Sequence, residues 1–217
     1  MEMEKLVFLV LFVVAVMAIV YTRNQKENSL LKSFGLKVSN KSENFRAKKT
    51  KPKIDMPPSS QSIVFGQSYS KPITSLHNRD LLIFTWNTPN GRSTDTQRVF
   101  SLASKRGKKS PKFICRPEGL FDKIKDKITN DDDIDYSEHQ EFSSKFHLTS
   151  QDVTDQEVRK LFDNPSFHEY LLKNKNMSIE SNGNKIFYYW WNHRVPAKKF
   201  PEIISDIENL HAQYFDV

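Results

Sequence analysis

Residues 6–20, LVFLVLFVVAVMAIV, form an unbroken apolar run closed by Tyr21 and followed by Thr22-Arg23. A helix needs about 17–25 mostly apolar residues to cross a bilayer, so this run sits near the lower end. A helix apolar on every side suits lipid better than the surface of a small domain. A signal peptide is the competing reading. It would have a positive start and a small-residue cleavage site, and Val16-Met17-Ala18 makes a poor one. The start here carries Glu2, Glu4 and Lys5 and is acidic overall, whereas Arg23, Lys26, Lys32, Lys37 and Lys41 follow the run. The positive-inside rule then predicts an uncleaved single-pass anchor in the cell membrane, with the rest of the chain in the cytoplasm. The one cysteine, Cys115, allows no internal disulfide. That fits a reducing compartment, and Cys115 reads as a buried apolar thiol.

The net charge of +7 is unevenly placed. Residues 22–60 carry ten Lys or Arg against Glu27, Glu43 and Asp55, which is +7; residues 1–21 contribute −1, leaving the remainder at +1. The basic character therefore belongs to the segment beside the apolar run. A polybasic stretch there is attracted to anionic lipid headgroups, with Lys48, Lys49, Lys51 and Lys53 as its densest part. A plain solvated linker is the alternative. Nucleic acid is a weaker candidate, because no aromatic interleaving accompanies the charge.

Three segments are expected: an anchor at 1–21, a basic juxtamembrane helix and linker at 22–61, and one α+β domain at 62–217. Leu30, Leu31 and Phe34 before Gly35-Leu36 predict one or two helical turns stopped by glycine. Residues 39–62, with Pro57-Pro58, read as a linker. Strands are predicted at 63–69, 81–86, 96–103 and 112–116, joined by turns at Pro89-Asn90-Gly91 and 105–109 into an antiparallel meander. Pro117 suits the first turn of a helix carrying Phe121, Ile124 and Ile128. A short strand at 145–148 follows an acidic loop. Thr154 and Glu157 have the form of a capping box ahead of Val158, Leu161 and Phe162. Asn164-Pro165 starts another helix with Phe167, Tyr170 and Leu171. Strands 178–181 and 185–191 are expected to pair through Asn182-Gly183. A last helix places Phe200, Ile203, Ile204, Ile207, Leu210, Tyr214 and Phe215 on one stripe, which is expected to close the core. The fold class is α+β: an N-terminal transmembrane helix, then an antiparallel β-meander with packed helices.

The densest set of oxygen ligands lies at 131–141, with Asp133, Asp135, Glu138 and His139. A calcium loop needs alternating ligands and a glycine at its sixth position; here the aspartates are consecutive and the glycine is missing. A solvated structural loop facing the basic 105–112 turn is the reading taken. The six histidines show no HExxH or zinc spacing. No GxSxG, P-loop or GxGxxG is present, so no cofactor or metal is expected. Tyr188, Tyr189, Trp190 and Trp191 alternate on a strand beside Arg194. They offer either a stacking platform or, more simply, sheet packing under the last helix.

The stretches LLKSFGL (30–36), QRVF (97–100), PKFICRPEGL (111–120), DIDYSEHQEF (133–142) and EVRKLF (157–162) resemble, in order and spacing, a family of bacterial single-pass membrane-anchored proteins with a cytoplasmic α+β domain. The chain departs from that family's pattern at Ser110 and Cys115, where leucine is usual. The family has no assigned activity, so the resemblance implies fold and anchoring and no site residue. Arg116, Glu118, Asp133 and Asp135 suit an internal ion-pair network by type and order. The function expected is a non-catalytic interaction domain at the cytoplasmic membrane face, with the lipid bilayer and an unknown protein as partners. The alternative is an enzyme using loop 131–141 on a membrane-proximal substrate.

Overall fold

The computed structural model describes residues 2–39, 68–73, 79–90, 93–104, 109–119, 134–150, 155–190, 193 and 195–215. It is α+β: one long apolar helix at the N-terminus, an antiparallel sheet and helices packed on it.

Helix α1 spans Glu2–Ser33 without a break. The segment Lys5–Ser33 is long and apolar enough to cross a membrane, and none of its apolar window is buried. The short helix expected near residue 30 is therefore the last part of this same helix and not a separate element. Its stop is as expected. Gly35 has φ 76°, its N–H donates to the Lys32 carbonyl at 2.9 Å, and the Leu36 N–H reaches back to the Leu31 carbonyl at 3.2 Å. These two bonds are the Schellman arrangement, which satisfies carbonyls left over at a helix end. Leu31 and Leu36, the apolar pair that accompanies that motif, are both buried in the main core. Glu27 and Asn28 are half-buried, so α1 lays one face of its last turns on the domain. Glu27 accepts an ion-paired hydrogen bond from Arg98.

Strands β1 (Lys37–Ser39), β2 (Ser68–Ile73), β3 (Arg79–Asn90), β4 (Ser93–Ala103), β5 (Phe113–Pro117), β6 (Phe146–Ser150), β7 (Met177–Ser181) and β8 (Lys185–Trp190) form one sheet. Its order is β1-β2-β3-β4-β8-β7-β5-β6, every neighbouring pair antiparallel. The meander expected through residue 116 thus ends at β4. The β7–β8 hairpin takes the place beside β4, with Phe100 opposite Tyr188, and β5 pairs instead with β7 and β6. Pro117 closes β5 opposite Phe146, and Phe121, Ile124 and Ile128 of the helix expected after it lie outside the described residues. Of the strand expected at 63–69, Ser68 and Tyr69 belong to β2, and residues 63–67 lie outside the described residues.

The β7–β8 turn is displaced by one residue from its expected position. Ser181 pairs with Ile186, so Gly183 and Asn184 are its central residues. Asn182 leads it, its side-chain oxygen accepting from the Asn184 and Lys185 N–H groups at 3.0 and 2.9 Å. Asn favours such side-chain-to-backbone turns, and Gly183 takes φ 92°.

Helices α2 (Gln140–Ser143), α3 (Asp155–Phe162), α4 (Pro165–Lys173) and α5 (Phe200–Tyr214) complete the described elements, with 3-10 turns at Ser137–His139 and Ala197–Lys199. Asn164 caps α4 by accepting from the Ser166 N–H at 3.0 Å, and Pro165 occupies its first turn. Thr154 lies outside the described residues. The helices cover one sheet face. Ile83, Phe100, Phe113, Cys115, Leu148, Ile179, Ile186 and Tyr188 meet Val158, Phe162, Phe167, Leu171 and the α5 stripe in one core. Phe100 meets Phe200 and Phe113 meets Phe162 edge-on, each at 5.1 Å between ring centres, a favoured aromatic geometry. The other sheet face carries a smaller cluster of Phe84, Val99, Phe187 and Tyr189.

Candidate functional site

Lys48, Lys49, Lys51, Lys53 and Asp133 lie outside the described residues, as do Trp191 and Arg194. From Ile134 onward the acidic loop is held by its apolar members. Ile134, Tyr136 and Phe142 are buried, while Asp135 and Glu138 are exposed and His139 is half-buried. The Tyr136 N–H donates to the Ser143 hydroxyl at 2.9 Å, and the Tyr136 hydroxyl donates to the Arg159 carbonyl at 3.0 Å. Arg159 in turn donates to the main-chain carbonyl of Asp135 at 3.1 Å. Burial raises the Tyr136 hydroxyl pKa, opposed by the Arg159 charge. The loop therefore grips the C-terminal half of α3. Its described part leads into β6 beside Phe146 and Pro117, whereas Ser110 and the β7–β8 turn meet at the Phe113 end of the same strands. Residues 131–133 and 105–108, through which the loop was expected to face the basic turn, lie outside the described residues.

His139 comes to rest beside a residue that periodicity had not singled out. His168, on α4, is 2% exposed. Its ring lies flat on Phe142 with centres 4.2 Å apart and meets the edge of His139 at 4.4 Å. Tyr136 closes a third side at 5.1 Å. Neither ring nitrogen has a hydrogen-bond partner. Burial lowers the His168 pKa to about 4, and the His139 charge pushes the same way; the Phe162 carbonyl and Asp163 oppose them weakly. The Phe162 carbonyl favours a proton on the ring without reaching hydrogen-bond geometry. His168 is consequently neutral at pH 7. Two imidazoles alone fall short of the usual three or four protein ligands of a zinc site. Among the described residues no group of three or more His, Cys, Asp or Glu is placed to hold a metal.

Two further polar groups lie inside the fold. His211 of α5 is fully buried, with Nε2 3.3 Å from an Arg79 guanidinium nitrogen and Nδ1 2.8 Å from the Tyr188 hydroxyl. An arginine nitrogen only donates, so Nε2 accepts and the ring proton sits on Nδ1. This chain ties β3, β8 and α5 together. On the opposite sheet face the buried Glu180 carboxylate accepts from the Tyr189 hydroxyl. Ser101, Ser178 and Gln97 share that face, and each has a buried oxygen without a hydrogen-bond partner.

A cleft of about 380 Å³ runs between α4 and α5, lined by Ser166, Glu169, Tyr170, Lys173, Asp206 and Gln213 among others. Burial pushes the Tyr170 hydroxyl up to about 12, with the Asp206 charge adding to the shift. The lining mixes both charge signs with aromatic walls. Lys173 and Glu169 pair across one turn of α4 in that lining at 3.8 Å, both exposed.

No family model matches the chain, and no curated protein or solved structure shows significant similarity to it.

Proposed function

We propose that this chain is a single-pass membrane protein presenting a non-catalytic α+β interaction domain at the cytoplasmic face. The observation that carries the reading is the continuity of α1. The helix is exposed over its entire apolar run, yet three turns later it buries Leu31 and ends in a cap that belongs to the domain core. An exposed apolar surface of that extent is stable only when something apolar covers it, and a bilayer does so for a helix of this length. The sidedness follows from Arg23, Lys26 and Lys32 on the domain side of the run. Anionic headgroups near Lys48, Lys49, Lys51 and Lys53 and a protein partner on the domain are the ligands proposed.

Reporter fusions to Val217 test the topology. A cytoplasm-active reporter should work and a periplasm-active one should fail, and the chain should stay in the membrane after alkaline carbonate washing. A working periplasmic reporter, or release by carbonate, overturns the reading. The second reading, an enzyme using loop 131–141, draws on the contact of His139 with His168. It predicts a metabolite or metal that raises the melting temperature of the wild type and not of His139→Ala, since a ligand specific to the native state stabilises it by mass action.

A further inference from the structure

We propose that Lys198 and Lys199, with Arg23, Lys26 and Lys32 of α1, form a basic collar that docks the domain on anionic lipid headgroups in one orientation. The inference rests on the membrane reading above and adds a surface and its ligand chemistry. Helix α1 packs against the 3-10 turn Ala197–Lys199. Ala197 is half-buried against the core, and Lys198 and Lys199 project from the same turn, both exposed. Arg23, Lys26 and Lys32 are exposed on α1 itself. These five cations therefore come from two segments that the fold packs against each other.

Their height above the bilayer follows from helix geometry. The apolar run ends at Tyr21, and Glu27 is the first half-buried residue of α1 after it. Six residues at 1.5 Å each put the start of the domain about 9 Å beyond the end of the run. Arg23 and Lys26 fall within that distance, about one Debye length at physiological salt, where basic residues are attracted to an anionic leaflet; Lys32 stands about 16 Å beyond the run. The carboxylate nearest the collar on α1, Glu27, is already paired with Arg98. Glu202, exposed one turn into α5, is the acidic group closest in sequence to the lysine pair. The continuous helix then fixes which face of the domain meets the headgroups.

The test uses the full chain in lipid nanodiscs. Amine-reactive ester labelling, read by mass spectrometry, gives the rates at Lys198 and Lys199 relative to the exposed Lys175. In discs containing phosphatidylserine those rates should fall several-fold below the rates in purely phosphatidylcholine discs, and 1 M NaCl should restore them. In the K198Q/K199Q variant, labelling of Lys26 and Lys32 in the anionic discs should speed up as the collar loses its hold. Equal rates in neutral and anionic discs, with the chain inserted in both, overturn the collar and leave the membrane reading standing. A chain that never enters the discs overturns both.

Discussion

His168 sits in an environment far from its solution chemistry. A buried imidazole without hydrogen-bond partners resists a proton, and its pKa falls from 6.5 to about 4. The unfolded chain keeps the ordinary value, so between pH 6.5 and 4 it binds the proton more strongly than the native state. Stability is full above that window, falls as pH drops through it, and stops changing below about pH 4 on this account. The groups facing His168 are Tyr136, His139 and Phe142 from the loop and Asp163 from the end of α3. Carboxylates titrate in the same range, so the comparison must be between variants. His168→Phe keeps the stack on Phe142 and removes the titration. Urea unfolding at pH 7 and pH 4 should show the wild type losing about 1–2 kcal/mol more than this variant, after allowing for solvent screening. Identical losses would show that His168 carries no pH dependence. A second residue prediction concerns Gly35. At φ 76° a β-carbon is strained by roughly 1–2 kcal/mol. Gly35→Ala should lower stability by about that much, and Gly35→Asn by less, because Asn tolerates the left-handed region.

The helices report how far local pattern reaches. The α5 stripe was legible because Phe200, Ile203, Ile204, Ile207 and Leu210 recur at helical spacing, and all are buried in the main core. The Asn164-Pro165 start of α4 was legible because a cap and a first-turn proline are local chemistry. The place of β5 was not. Its own residues fix that it is a strand, but its partners are β6 and, more than 60 residues later, β7, and sequential strands are neighbours only about two-thirds of the time. The candidate site divides the same way. His139 stood out as part of an acidic cluster, whereas His168 gains meaning only when the loop folds onto α4. One signal was present: His168 lies three residues before Leu171 and next to Phe167, on the buried stripe of α4. His211 likewise sits on the apolar stripe of α5, where a polar residue marks a buried hydrogen bond, whereas Glu180 alternates with Ser178 on β7 and carried no such signal. Because α5 closes the core, Ile207→Ala should cost about 2–5 kcal/mol in denaturant unfolding. A loss below about 0.5 kcal/mol, as at ordinary surface positions, would mean that the α5 stripe is not core.

At the scale of the whole molecule, the distinctive property under the proposed membrane reading is mechanical. Most membrane-anchored domains behave as independent bodies when a Gly- or Ser-rich linker separates them from the span. Here the helix that carries the apolar run is itself part of the domain core through Leu31, Leu36 and the Glu27–Arg98 pair. Tyr21 and Leu31 are joined by ten helical residues, about 15 Å of rigid rod. A rod and a tether respond differently to insertion. Four alanines placed after Arg23 continue the helix by about one turn, so a rod lifts the domain by about 6 Å and turns it by about 40°. A tether absorbs the same residues with no defined step. The distance from a donor fluorophore fused at Val217 to acceptor lipids in nanodiscs reads the difference. Neutral lipid is used so that headgroup attraction does not compete. A step of several ångströms, reversed when four Gly-Ser residues replace the alanines, is the expected result. An unchanged distance with the alanine insert would mean that α1 bends or melts between the run and Leu31, and the domain would then be tethered and not mounted.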